Sequence, residues 1–234
     1  MVGKDVILSG WIHDIRLLGG INFLLLRDFE GIVQVTVQKS SAPEKILKQL
    51  EKLHNEDVVA IKGTVQETAK TKNKIEIIPK EIVILYPAEP SLPLDPRKVT
   101  KSHLDTRLDW RSIDLRSPEN LAIFKIESKI MTAMEEYFVQ NKFMKVFTPS
   151  LIGGISEGGS EVFSVVYFDR QVFLRQDPQL HRELLIAGGF EKIFEMGPSW
   201  RAEKSHTIRH MTEHRTIAAE LAFIEDEHDV MRLE

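Results

Sequence analysis

Four prolines fall within Tyr86-Pro-Ala-Glu-Pro-Ser-Leu-Pro-Leu-Asp-Pro96, and this stretch constrains the fold more than any other. Each proline fixes φ and removes a backbone donor, so neither a helix nor a central strand can run through it. The segment reads as a stiff, extended connector, and the chain on its two sides must fold separately. The domain reading is therefore 1–86, a connector and hinge at 87–116, and a second domain over 117–234.

Before the connector the period is that of strands. Val6-Ile-Leu-Ser-Gly-Trp-Ile-His13 alternates apolar and polar residues, and Gly19-Gly20 turns it into Ile21-Asn-Phe-Leu-Leu-Leu-Arg27. Phe29-Glu-Gly31 turns again into Ile32–Val37, and Val58–Val65 and Lys74–Leu85 supply two more strands. Between the third and fourth strands, Ile46, Leu47, Leu50 and Leu53 fall at helical spacing, with Pro43 in a permitted first-turn position. Five strands with a helix after the third is the order of an oligonucleotide-binding barrel; another small barrel without a ligand fits the pattern as well. After the connector the pattern is mixed α/β. Ser117-Pro118 opens a long amphipathic helix to about Gln140, with Ser117 as N-cap.

Composition narrows the chemistry. With no cysteine, disulfides, thiolate metal sites and cysteine nucleophiles are excluded, and a reducing cytoplasm is the expected location. No apolar run reaches the length of a membrane span, so no membrane partner is expected. The net charge of -4 excludes a wholesale polycation, so nucleic-acid binding has to rest on local patches.

The richest constellation is Arg201-Ala-Glu203, with Arg209-His210 after the polar loop Lys204–Ile208 and a strand-like run from Thr216 to Ile224. If Arg201 and Glu203 lie on a strand, they point to one face, and the hairpin offers cations on both sides of its turn. Such a hairpin suits a polyphosphate and a flat base together. Ser156-Glu-Gly-Gly159 is a flexible acidic loop in which Glu157 could attract an ammonium group; glycine pairs also mark ordinary turns. Gln179 and Arg182 share a face of a helix that starts near Pro178, where Arg182 is either a carboxylate ligand or a surface residue. On the barrel, Phe23, Arg27 and Gln34 have the parity to share a face for stacking and base-edge contacts, and Trp11 is either core or platform. His206, His210 and His214 recur every four residues, but they sit in a turn between strands and no carboxylate set completes them, so no metal site is assigned.

Taken together, these residues resemble a class II aminoacyl-tRNA synthetase of the aspartyl/asparaginyl/lysyl subgroup, most closely the archaeal-type aspartyl enzymes. Gly10-Trp11, Leu18-Gly-Gly20, Arg27-Asp28 and Gly31-Ile-Val-Gln34 look like the anticodon-binding barrel, and Leu92-Pro-Leu-Asp95, Leu104–Leu108 and Asp114-Leu-Arg116 look like the hinge. Phe143-Met-Lys-Val-Phe-Thr-Pro149 looks like motif 1, and Glu195-Met-Gly-Pro198 with Arg201-Ala-Glu203 and Arg209-His210 looks like motif 2. The match extends through Ala222–Met231.

The resemblance implies an α+β fold: a five-stranded OB-fold barrel followed by part of a class II antiparallel-sheet catalytic domain. It implies ATP-dependent attachment of aspartate to tRNA through an aspartyl-adenylate, by a homodimer with Pro149 at its interface. Arg201 would contact the amino-acid carboxylate and the α-phosphate, Glu203 the adenine amino group, and Arg209 and His210 the distal phosphates, with Met211 and His214 also at the ATP site. Glu157, Gln179, Arg182 and Arg201 would form the amino-acid pocket, and His13, Phe23, Arg27, Gln34 and Lys72 the anticodon surface. ATP would arrive with Mg²⁺, whose ligands are expected outside this chain.

Three residues depart from the resembled pattern. Arg182 stands for a lysine, His214 for an adenine-stacking aromatic, and Ala218 for a carboxylate. The cationic Arg182 is read as favouring an anionic substrate, aspartate over asparagine. His13 and Lys72 point opposite ways on whether the tRNAs for aspartate and asparagine are told apart. The third class II motif is not found before Glu234, so a fragment of a longer enzyme is expected, with a non-catalytic RNA-binding paralogue as the other reading.

Overall fold

The computed structural model describes residues 2–97, 101–155, 161–205, 207 and 209–233. It divides into two compact units, Met1–Lys125 and Ile126–Glu234.

In the first unit, β1 (Asp5–Leu17), β2 (Ile21–Arg27), β3 (Ile32–Gln38), β4 (Val58–Glu67) and β5 (Ile75–Tyr86) close into a barrel in the order β1-β2-β3-β5-β4. Helix α1 (Glu44–Leu50) lies between β3 and β4 in the chain, as the periodicity predicts. Alternation sorts the side chains: Asn22, Leu24 and Leu26 of β2 are buried, whereas Ile21, Phe23 and Leu25 are half-buried on the outer face. The core is continuous, with Ile12, Leu24, Val35, Val59, Ile61 and Ile82 fully enclosed. At one point the strands come too close for any side chain, since a Cβ on Gly10 would lie 2.3 Å from the Arg27 carbonyl oxygen.

The β1–β2 register departs from simple alternation. Trp11 pairs with Arg27 and Ile12 with Leu26, but Asp14 pairs with Leu25, so His13 is the extra residue of a bulge. The turn after α1 is held tightly. Glu56 has φ 70°, in the left-handed region, and its amide donates to the Ile12 carbonyl at 2.7 Å. The neighbouring Asp57 carboxylate accepts from the His54 amide at 2.8 Å and from the Ala88 amide at 2.7 Å, which ties the proline connector to the barrel.

Short helices α2 (Leu104–Asp109) and α3 (Arg111–Asp114) follow. Buried Asp114 joins them, accepting from Arg107 Nε at 2.8 Å and from Arg111. The Arg107 hydrogen bond is the main reason its carboxyl lies below the usual carboxylate range. Helix α4 (Pro118–Gln140) starts where the sequence places it, and the Ser117 hydroxyl accepts from the Asn120 amide at 3.3 Å. The division between the two units falls within this helix.

The second unit carries β6 (Met144–Lys145), β7 (Leu151–Ile152), β8 (Ser164–Tyr167), β9 (Arg170–Leu174), α5 (Gln179–Ala187), β10 (Lys192–Trp200), β11 (Glu213–Leu221) and α6 (Glu227–Met231). One three-stranded sheet has the order β11-β10-β6 and the other β7-β9-β8. Phe138 of α4 stacks on Phe194 of β10 with ring centroids 4.8 Å apart, and Phe143 meets Phe138 edge-on. No helix among the described residues is long and apolar enough to cross a membrane.

Candidate nucleic-acid interface and candidate active site

On the outer barrel face Phe23 stands opposite Thr36, and Leu25 opposite Gln34. The Gln34 amide nitrogen donates to Thr36 Oγ1 at 3.1 Å and to Glu76 Oε2 at 3.2 Å, while the Thr36 hydroxyl donates to the same carboxylate at 2.5 Å. The amide is thereby fixed, and Glu76 is a residue that sequence reasoning missed because it lies 42 residues away in the chain, on the neighbouring strand β5. A groove of about 640 Å³ runs beside this face, lined by Arg27, Gln34 and Lys72 among others. Phe23 shares the face without lining the groove.

Arg27 differs from the sequence reading. It is only 4% exposed, and its two terminal amines are 2.9 Å from His13 Nδ1 and 2.7 Å from Glu56 Oε2. The guanidinium lies 5.9 Å from the Trp11 ring centroid, so Trp11 packs beside a buried ion pair. The cause is tertiary: the bulge carries His13 toward Arg27, and the turn after α1 brings in Glu56 from 29 residues away. The Arg27 donors named as base readers are therefore committed within the fold. Burial, and secondarily the Arg27 charge, depress the His13 pKa, so His13 accepts from Arg27 as a neutral ring.

In the second unit the hairpin is β10–β11, with Trp200 opposite Glu213 and Ser199 opposite His214. The expectation that Arg201 and Glu203 occupy alternate strand positions fails. Strand β10 ends at Trp200, and the ladder runs one bond further, from the Arg201 amide to the Thr212 carbonyl at 3.0 Å. The Ala202 amide then turns to the Glu161 carbonyl, and the Glu203 amide bends back to the Arg201 carbonyl at 2.8 Å. Arg201 and Glu203 thus sit at the mouth of a wide loop. Arg209, His210 and Met211 are exposed in that loop, where His210 Nδ1 lies 2.6 Å from Thr207 Oγ1. His214 is half-buried on β11. Glu157 and His206 lie outside the described residues.

Along β10, on the side of Arg175, lies a buried charge network. Glu195 of β10 accepts from the Thr148 amide at 3.1 Å, from its hydroxyl at 2.8 Å and from Arg175 at 2.7 Å. Burial alone would raise its pKa; these hydrogen bonds outweigh burial and hold the carboxyl below its ordinary value. Arg175 also donates to the carbonyls of Pro198 and Thr148, and a Cβ on Gly197 would lie 2.4 Å from this guanidinium. Arg175 was not anticipated, because its partner lies 20 residues away on another sheet.

Arg182 proves neither a surface residue nor an uncompensated cation. It is 3% exposed, with Nε 3.0 Å from Glu220 and a terminal amine 3.0 Å from Asp177, and Glu195 lies 3.9 Å off. Arg175 and Arg182 therefore face three carboxylates. An incoming substrate would therefore meet Arg182 with Glu220 and Asp177 already beside it. Gln179, on the same helix, is exposed and donates to Glu183 at 2.9 Å. Pro149 is exposed, one residue beyond the Thr148 that grips Glu195. Among the described residues no group of three or more histidines or carboxylates stands in metal-ligating geometry.

A model of the family "tRNA synthetases class II (D, K and N)" matches residues 103–234, more than half of the chain. The chain belongs to that family. Residues 6–85 match the OB-fold nucleic acid binding domain. Among curated relatives, the "Aspartate--tRNA(Asp/Asn) ligase" of Methanopyrus kandleri is 46% identical over 99% of this chain and 54% of its own length. The "Aspartate--tRNA(Asp) ligase" of Pyrococcus abyssi is 45% identical over 99% of this chain and 53% of its own length. Among solved structures, the Pyrococcus horikoshii asparaginyl-tRNA synthetase complexed with asparaginyl-adenylate superposes with a TM-score of 0.89 at 31% identity, covering 99% of this chain and 52% of that one. The chain spans about half the length of the curated relatives it matches.

Proposed function

We propose that this chain carries the anticodon-reading barrel and the motif 1 and motif 2 part of an enzyme that joins aspartate to tRNA at the expense of ATP. The observation that carries the reading is the match of 45–46% identity along 99% of the chain to relatives named as aspartate–tRNA ligases. The geometry agrees with it: an arginine, Arg201, stands at the mouth of a hairpin loop rich in cations, and β10, the strand that leads into it, carries a buried charge network. Arg201 would neutralise charge on the α-phosphate as the amino-acid carboxylate attacks phosphorus in line and pyrophosphate leaves. Glu203 would accept from the adenine amino group, His214 would stack on the ring, and Arg209, His210 and Met211 would flank the distal phosphates. Glu157 and Gln179 would line the amino-acid pocket. Magnesium would enter with ATP, and no step is routed through ligands of this chain.

The barrel supports tRNA as the partner, with Phe23 stacking and Gln34 and Lys72 contacting the anticodon loop. Arg27 and His13 would act from behind, fixing that wall of the groove. A homodimer is supported by an exposed apolar side chain two residues from Pro149, Phe147 at 78% exposure.

Asparagine is the second reading. It is favoured by the compensated charge around Arg182 and by the asparaginyl-adenylate complex among the similar structures. ATP–pyrophosphate exchange by the enzyme carrying this chain decides between them. Aspartate-dependent exchange is expected, falling by ~10²–10³-fold in Arg201→Ala; exchange supported by asparagine alone would overturn the choice.

A further inference from the structure

The groove beside the barrel has one wall that belongs to neither the strands nor their loops. Its lining includes Pro118, Leu121 and Lys125 from the first turns of α4, and Arg116 from the residues just before that helix. Four cations line it, Arg27, Lys72, Arg116 and Lys125, against two acids, Asp28 and Glu30. One of those acids is occupied by its own turn: Asp28 Oδ1 accepts from the amides of Glu30 at 2.9 Å and Gly31 at 3.0 Å. The groove is thus basic although the whole chain is not.

Two of the cations are held in place by contacts that do not neutralise their exposed ends. Lys125 donates to the Phe29 carbonyl and lies 4.4 Å from the centre of the Phe29 ring, which fixes the ammonium at the groove edge with no carboxylate partner among the described residues. Arg116 places one terminal amine 3.0 Å from Glu56 Oε2, lies 5.4 Å from the Trp11 ring centre, and keeps 33% of its side chain exposed. A guanidinium has five donors, and Glu56 engages one of them. The single Glu56 Oε2 serves both Arg27 and Arg116, so one carboxylate stands against two guanidiniums and the cluster keeps net positive charge. Glu56 itself is 3% exposed in the pinned turn after α1, so it holds Arg116 from a rigid base.

We propose that Arg116 and Lys125 bind the phosphodiester backbone of the RNA that the barrel reads, and that Glu56 is the positioning residue that aims Arg116 at it. This rests on the barrel being an RNA-binding module and extends its surface from the strands onto α4. The groove shares Gln34 and Lys72 with the proposed anticodon face, so the two surfaces are continuous. Phosphate contacts of this kind set affinity and register without reading sequence.

The test is fluorescence anisotropy of the full chain with a labelled anticodon stem-loop RNA, titrated at several salt concentrations. Lys125→Gln and Arg116→Gln should each weaken binding several-fold, equally for cognate and scrambled loops, and each should reduce the salt slope by roughly 0.7–0.9 per lost phosphate contact. Glu56→Gln removes a negative charge, so bulk electrostatics predicts tighter binding, whereas a misdirected Arg116 predicts weaker binding. Weaker binding by a folded Glu56→Gln supports positioning; tighter or equal binding by it overturns that role. If that variant does not fold, the Arg116 and Lys125 slopes still decide the phosphate contacts. Unchanged slopes in both overturn this inference alone, and failure of the unsubstituted chain to bind RNA overturns the barrel reading with it. Displacement of RNA by an acidic peptide at equal charge concentration would assign the groove to a protein partner instead.

Discussion

The two units bury charge in opposite ways. In the barrel unit one carboxylate, Glu56, stands against Arg27 and Arg116 beside a neutral His13. In the second unit Arg175 and Arg182 stand against Glu195, Glu220 and Asp177. The first cluster is a surplus of positive charge next to a groove; the second is compensated in full, along a strand leading to a loop whose own cations are exposed. The hydrophobic frames differ too. The barrel encloses a continuous apolar core, whereas in the second unit Phe147, Val166 and Phe168 are exposed and the cluster of buried residues around Glu195 is charged. Charge in the barrel cluster is left unbalanced beside a groove, and the cations of the second cluster each meet carboxylates.

The largest expected effect breaks the second cluster. Glu195→Ala leaves Arg175 buried beside an empty acceptor site, and denaturant titration should show a loss of about 3–5 kcal/mol. If the loss is below about 1 kcal/mol, the network is not what rigidifies the unit. Gly197→Ala probes the same network more gently, because its methyl would meet Arg175 at 2.4 Å. A cost of about 1–3 kcal/mol is expected, together with slower pyrophosphate exchange.

The smallest effect is a pH dependence that separates the units. The folded pKa of His13 is below its unfolded value, so the unfolded chain takes up the proton first as pH falls. The stabilisation is complete above the unfolded histidine range near 6.5 and is lost as pH falls from there through the lower folded value. Glu195 is also depressed, so its contribution is present above the ordinary carboxylate range and is lost only at more acid pH. Hydrogen exchange followed by mass spectrometry should show barrel peptides losing protection at higher pH than peptides of β10. The reverse order would remove the distinction between the two clusters.

Much of the fold was legible because its causes are local. Alternation along Ile21–Arg27, the Gly19-Gly20 turn, the Ser117-Pro118 helix start and the proline connector act over a few residues each. So the five-strand order, the helix after the third strand and the start of α4 follow from sequence. The candidate site was legible only in part. Gln34 and Lys72 do meet in one groove, but the Glu76 that fixes Gln34 and the Glu56 that captures Arg27 lie 42 and 29 residues away.

The sequence by itself determined which residue types were available: the motif 2 cations, the barrel's alternating faces and the proline connector. The division between the two compact units falls beyond that connector, within α4. The tertiary structure decided how they are used. A one-residue bulge at His13 and the bend after Trp200 set the local geometry, and long-range pairing committed Arg27 and Arg182 to partners within the fold. The reason is physical. Hydrophobic period is written into neighbouring residues, whereas a buried ion pair exists only once separate strands bring opposite charges within about 3 Å and exclude the water that would otherwise screen them.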